Sequence, residues 1–155
     1  MSGTVDKRLS ELGIDLPEPS APAANYIPYV ISGNLVFVSG QITMSGGELK
    51  YLGKVGDSLG IDDGYQAARI CAINLLAQVK VACGGNLDRV KQVVKLGGFV
   101  NCVPDFTDQP KVINGASDLM VEVFGDAGKH ARFAVGAPSL PLGIAVEVDG
   151  IFQID

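Results

Sequence analysis

Tryptophan is absent from the sequence, histidine occurs once and cysteine three times. The lone histidine, His130, and the lack of any CxxC or HxxxH spacing leave no zinc ligand set, so no metal site is expected. Cys71, Cys83 and Cys102 are odd in number, widely spaced and set in apolar sequence, which reads as reduced core thiols and not as a disulfide framework. Charge is scarce as well: 19% of residues are charged, the formal net charge is −5, and Lys and Arg nowhere cluster. Phosphate backbones demand clustered cations, so no nucleic acid partner is expected. No apolar run is long enough to cross a bilayer, and the opening MSGTVDKRLSELG lacks the apolar core of a secretory signal. This points to a cytoplasmic protein without a membrane partner. Neither GxxxxGK(S/T) nor a GxGxxG at a strand-to-helix junction occurs, so the 20 glycines read as turns and not as a phosphate cradle. With no GxSxG elbow and no evident serine partner for His130, a Ser-His-Asp site has no support.

What the chain does have is apolar sequence, 47% of its 155 residues, which suits one well-buried domain with part of its surface reserved for a subunit interface. A short helix is expected at about Thr4 to Leu12, with Leu9 and Leu12 on one face. In LPEPSAPAANYIPY, Pro17, Pro19, Pro22 and Pro28 exclude regular helix and favour an extended arm, and Tyr26 and Tyr29 read most simply as half-buried packing. YVISGNLVFVSGQ predicts a β-hairpin turning at Ser32-Gly33-Asn34, and Ser45-Gly46-Gly47 turns the chain into a further short strand or an irregular loop. Asp62 and Asp63 open an amphipathic helix with Ala68, Cys71, Ala72, Leu75, Val79 and Cys83 at helical spacing, and Gly84-Gly85 stops it. Val90 to Val103 predicts a strand with Val94, Leu96, Val100 and Cys102 on one face, Gly97-Gly98 marking a bulge or a close backbone approach. A second helix should run from about Asp108 to Gly125, burying Val112, Ala116, Leu119, Met120 and Val123, with Asn114 and Asp118 off that stripe. The order implies an α+β or α/β sandwich with helices laid on one sheet, whose other face oligomerisation would cover.

The closing stretch KHARFAVGAPSLPLGIAVEVD sets Arg132 inside one apolar strand-like run and Glu147 inside the next. Runs this close in sequence tend to pair or lie side by side. A guanidinium among apolar neighbours needs an anion opposite it. Glu147 supplies one in a structural ion pair. A small carboxylate ligand supplies it if Arg132 is an anchor, and Glu147 is then free to act as a positioned base.

The combination of APAANYIPYVISGNLVFVSGQI, the helix–strand–helix middle and HARFAVGAPSLPLGIAVEV resembles the Rid family, also named the YjgF/YER057c/UK114 or L-PSP family. Its most specific pieces are SGQ at Ser39 to Gln41 and Ala-Arg followed by LP and a V-E-V strand. The resemblance spans about residues 21–154, leaving 1–20 as an N-terminal extension to a single RidA-like domain at 21–155. It implies a chorismate-mutase-like α+β fold, one mixed sheet with two long helices on one face, assembling as a homotrimer with a ligand cleft between subunits. It also implies hydrolysis of reactive 2-imino and 2-enamino acids, such as 2-aminoacrylate, to 2-keto acids and ammonia, with neither metal nor organic cofactor. By position, Arg132 matches the carboxylate-binding arginine, Glu147 the glutamate that places water, and Tyr29 and Asn114 a cleft tyrosine and asparagine. The chain departs from RidA-type proteins in having Ala134 where they commonly carry a cysteine, His130 where they commonly carry proline, and an atypical loop at 46–60. A non-catalytic module holding a small carboxylate metabolite in the same cleft is the rival from another class. Ribonuclease activity, suggested by the family's older name, fits poorly with the acidic charge and the lack of a basic or aromatic stripe.

Overall fold

The computed structural model describes residues 3–19 and 25–155. The part of the proline-rich arm at 20–24 lies outside the described residues. Five strands form the main sheet: β1 (Tyr29–Ser32), β2 (Leu35–Gln41), β5 (Val90–Asn101), β6 (Ala131–Ala137) and β7 (Val146–Ile154), in the order β1-β2-β7-β5-β6. All pairs are antiparallel except β5 with β6, so the sheet is mixed. Met44–Ser45 (β3) and Glu48–Leu49 (β4) make a separate two-stranded ribbon whose turn residues Gly46 and Gly47 have φ of 61° and 80°, a left-handed pair that only glycine adopts freely.

Two helices, α2 (Ile61–Ala82) and α3 (Gln109–Phe124), cover one face of this sheet. The stripes that predict them are buried, and both helices stop where glycines take positive φ, Gly84 and Gly85 after α2 and Gly125 after α3. Where they cross, Gly115 of α3 lies against the Tyr65 carbonyl and the Ala68 side chain of α2, and the two backbones come close. Beneath them lie Val36 and Val38 of β2, Val93, Leu96 and Val100 of β5, and Val146, Val148 and Phe152 of β7. The short N-terminal helix α1 (Thr4–Glu11) is seated on this body. Val5 and Leu9 enter the core, and the Asp88 carboxylate accepts the backbone N–H groups of Thr4 and Val5 at 2.9 and 2.8 Å, capping α1 from across the chain.

Two sequence expectations need correction. The runs holding Arg132 and Glu147 do not pair, because β5 lies between β6 and β7. The register of β5 shifts between Val90 and Gln92 and between Val93 and Lys95, so Val93 enters the core while Val94 is only half-buried. Gly97 and Gly98 are in regular register; their role is close approach, since a Cβ at Gly98 would stand 2.6 Å from the Ile113 side chain of α3.

Among the described residues, no helix covers the second face of the sheet. Val30, Phe37, Phe99 and Val135 lie on it, 50%, 41%, 37% and 43% exposed, beside Phe133 and Ile151. Phe99 and Phe133 meet edge to face with ring centroids 5.4 Å apart.

Candidate functional site

Alternation along the strands assigns each site residue to a face. Arg132 pairs in register with the core residue Leu96 and therefore points to the helix side, where its Nη1 donates to Asn114 Oδ1 at 2.8 Å and to Ser117 Oγ at 3.1 Å. Asn114 and Ser117 stand one turn apart on α3, so both project toward the β6 edge. Ser117 Oγ is also 2.8 Å from His130 Nε2, and His130 Nδ1 is 2.6 Å from the carbonyl oxygen of Gly128. The serine partner of His130 that the sequence does not announce is thus Ser117, placed there by α3.

Glu147 lies on the other face. It pairs with Phe99, and its neighbours in β7, Val146 and Val148, are the ones that enter the core. An ion pair between Arg132 and Glu147 within one chain is therefore excluded, because the sheet separates them. No other carboxylate takes Glu147's place. Arg8, Arg69 and Arg89 meet Glu11, Glu122 and Asp155 at 3.3, 3.0 and 3.0 Å, whereas Arg132 has no acidic partner among the described residues. Its fork is held by neutral oxygens, at the rim of the sheet, with its full charge to offer.

Glu147 is half-buried, and burial, aided by the nearby charge of Asp149, holds its carboxyl above the ordinary carboxylate range. Room for it comes from Gly40, the glycine of the SGQ segment, since a Cβ there would stand 2.7 Å from Glu147 Oε2. Gly40 also borders a cleft of about 480 Å³ between the arm, the end of β2 and α2, lined by Pro17, Pro19, Tyr26, Ser39 and Gln78 among others. Tyr29 packs against the core on β1, the edge strand opposite β6. Four strand spacings separate those edges, roughly 19 Å. One chain thus brings Arg132 and Asn114 together and keeps Glu147 and Tyr29 away from them. Ala134 follows Arg132 on the helix side of β6, in register with Gly98, so this position supplies no thiol.

The raised Glu147 value has a measurable consequence. A carboxyl whose folded-state value lies above its unfolded one stabilises the fold at low pH and loses that contribution as pH rises through the folded-state value. Glu147→Gln should therefore raise the melting temperature at pH 8, with the gain vanishing at about pH 3, below the ordinary range. Thermal melts at both values check this; a gain independent of pH would contradict it.

Known proteins share this architecture. The sequence profile of the family described as "YjgF/chorismate mutase-like, putative endoribonuclease" matches residues 6–151. The chain is 49% identical over 155 residues to protein TCP17 of Trypanosoma cruzi, covering 99% of this chain and 96% of that one. The crystal structure of Atu1372 from Agrobacterium tumefaciens, a protein of unknown function, superposes with a TM-score of 0.92 at 48% identity, covering 97% of this chain and 92% of the other. A Shewanella oneidensis structure bearing the same endoribonuclease description superposes with a TM-score of 0.94 at 38% identity, covering 98% of this chain and 100% of the other. With the mixed sheet, the paired helices and the profile in agreement, the chain belongs to the YjgF/chorismate mutase-like family, the Rid family its sequence resembles.

Proposed function

We propose that the chain is a hydrolase that deaminates reactive 2-imino and 2-enamino acids, such as 2-aminoacrylate and 2-iminopropanoate, to 2-keto acids and ammonia. The observation that carries the reading is the Arg132 guanidinium, held by Asn114 and Ser117 and lacking an acidic partner among the described residues. Such a fork binds a small carboxylate through two parallel hydrogen bonds and fixes its orientation. The opposite faces taken by Arg132 and Glu147 support a site shared between chains, with Arg132 of one chain and Glu147 of its neighbour as its two sides. The exposed apolar face bearing Phe37, Phe99 and Val135 supports the assembly this requires, a homotrimer with a cleft between subunits.

The chemistry asks little of the protein. A 2-enamino acid first gains a proton at C3 and loses one from nitrogen to become the 2-imino acid. With the carboxylate held, water oxygen adds to C2 of the imine, the C=N π electrons move to nitrogen, and the nitrogen gains a proton to give a carbinolamine. The hydroxyl proton then passes to nitrogen, C=O re-forms as the C–N bond breaks, and ammonia leaves. Glu147, with its carboxyl above the ordinary range, suits accepting the water proton and returning it to nitrogen. Tyr29 is assigned to the cleft wall, together with Asn114.

The test generates 2-aminoacrylate with a dehydratase and follows keto-acid formation. The chain should accelerate it over buffer. Binding of a 2-keto acid without any acceleration would instead favour a non-catalytic module for a small carboxylate. RNA cleavage is disfavoured by the net charge of −5 and by the engagement of both nitrogens of the single histidine within the fold.

A further inference from the structure

Arg132 Nη1 carries two hydrogens, and both are engaged, one by Asn114 Oδ1 at 2.8 Å and one by Ser117 Oγ at 3.1 Å. That leaves the Nε–H and the two Nη2 hydrogens, and of these the Nε–H and one Nη2–H lie parallel along one edge of the guanidinium, open to an incoming carboxylate. Which edge faces outward is decided by Ser117, because Asn114 is exposed and its amide alone would let the guanidinium swing, whereas Ser117 is half-buried and held in turn. The Gly128 carbonyl can only accept, so His130 Nδ1, 2.6 Å away, carries a hydrogen. In the neutral ring the lone pair of Nε2 then takes the Ser117 hydroxyl hydrogen across 2.8 Å, which turns the serine oxygen's lone pairs toward Arg132. Gly128 is itself fixed, for it is buried and a Cβ there would overlap the Met120 carbonyl of α3.

We infer that Ser117 and His130 are positioning residues, a one-way hydrogen-bond relay from Arg132 through Ser117 and His130 to Gly128 that presents the Nε/Nη2 edge of Arg132 side-on to a 2-oxo or 2-imino acid carboxylate. The inference rests on Arg132 being the carboxylate anchor, and it adds two residues whose action passes entirely through that arginine. A free serine rotor would leave the guanidinium to be ordered by the ligand at the moment of binding, which costs affinity.

The test titrates 2-oxobutyrate into the full chain and its variants by calorimetry, with ¹⁵N NMR of the side chains in parallel. Because the chain has one histidine, its ring signals need no assignment. Ser117→Ala should weaken binding roughly tenfold, the worth of one hydrogen bond to a charged group, and Ser117→Thr, which keeps the hydroxyl, should bind as wild type. His130→Ala should weaken binding less, and the double variant Ser117→Ala/His130→Ala no further than Ser117→Ala alone, because the histidine acts through the serine. The ring should be the Nδ1–H tautomer. Wild-type binding in Ser117→Ala and His130→Ala beside its loss in Arg132→Ala would overturn the relay and leave the anchor standing. A loss in Ser117→Ala that Ser117→Thr does not restore, or an Nε2–H ring, would also overturn it. Should wild type take up no 2-oxo acid, the anchor reading falls and the relay is decided by NMR alone. Arg132 Nη1 hydrogens protected in wild type and released in Ser117→Ala support it, and identical signals in both overturn it.

Discussion

Arg132→Ala is expected to lose kcat/KM for imine hydrolysis, and affinity for 2-keto acids, by roughly 100-fold or more, about 3 kcal/mol, while its melting temperature barely moves. The two halves of that result come from one geometry. Arg132 has no acidic partner among the described residues, so removing it strands no buried carboxylate; it frees the exposed Asn114 amide and a half-buried serine hydroxyl. Truncating one member of a buried ion pair would instead destabilise the fold by about 3–5 kcal/mol. Activity and thermal melts on the same preparation therefore separate an anchor from a structural arginine. Arg132→Lys should recover little, because a point charge lacks the parallel N–H pair that matches a carboxylate. A destabilised but fully active Arg132→Ala protein would contradict the account.

The largest effect on folding is expected at Gly115. A Cβ there would overlap the carbonyl oxygen of Tyr65 and stand 2.8 Å from its carbonyl carbon, and that backbone is held within α2. Gly115→Ala must push the helices apart at Tyr65 and Ala68, loosening contacts that a larger interface residue cannot replace. A loss of at least about 3 kcal/mol, or failure to accumulate as soluble protein, follows from overpacking against backbone. The same substitution at Gly84 meets nothing within 4 Å and only has to bear a φ of 67°, which costs about 1 kcal/mol. Urea unfolding of both variants measures the contrast; equal losses would mean that the helix crossing is not where this core is tight.

These two residues also mark how far the sequence can be read. Helices α2 and α3, and the hairpin of β1 and β2, are written in local pattern: apolar residues at helical spacing, acidic starts, glycine stops, a turn at Gly33. Gly115 is one glycine inside a helical stripe, and nothing local says that a second helix backbone passes over it. The site suffers from the same limit. Two apolar runs joined by a short connection suggest neighbours, and only long-range pairing reveals that β5 inserts between β6 and β7. Nor can the alternation of β6 be carried into β7, because the connection between them is irregular, with Leu142 at a φ of 61°. Whether Arg132 and Glu147 share a face was therefore undecidable from spacing. Ser117 was discoverable in principle, since it lies three residues beyond Asn114 on the same side of a helix, but His130 gains its meaning only once Ser117 is set beside it.

In the proposed assembly one chain supplies Arg132 and another supplies Glu147. The most direct test co-expresses Arg132→Ala and Glu147→Gln chains under two different tags, isolates mixed assemblies by sequential affinity steps, and measures 2-aminoacrylate hydrolysis. Each variant alone should be nearly inactive. In a mixed trimer of either composition one of the three shared sites keeps both residues intact, so the mixed assemblies should regain about a third of wild-type activity. Mixed assemblies as inactive as either parent would contradict the claim and require both residues to act from the same chain.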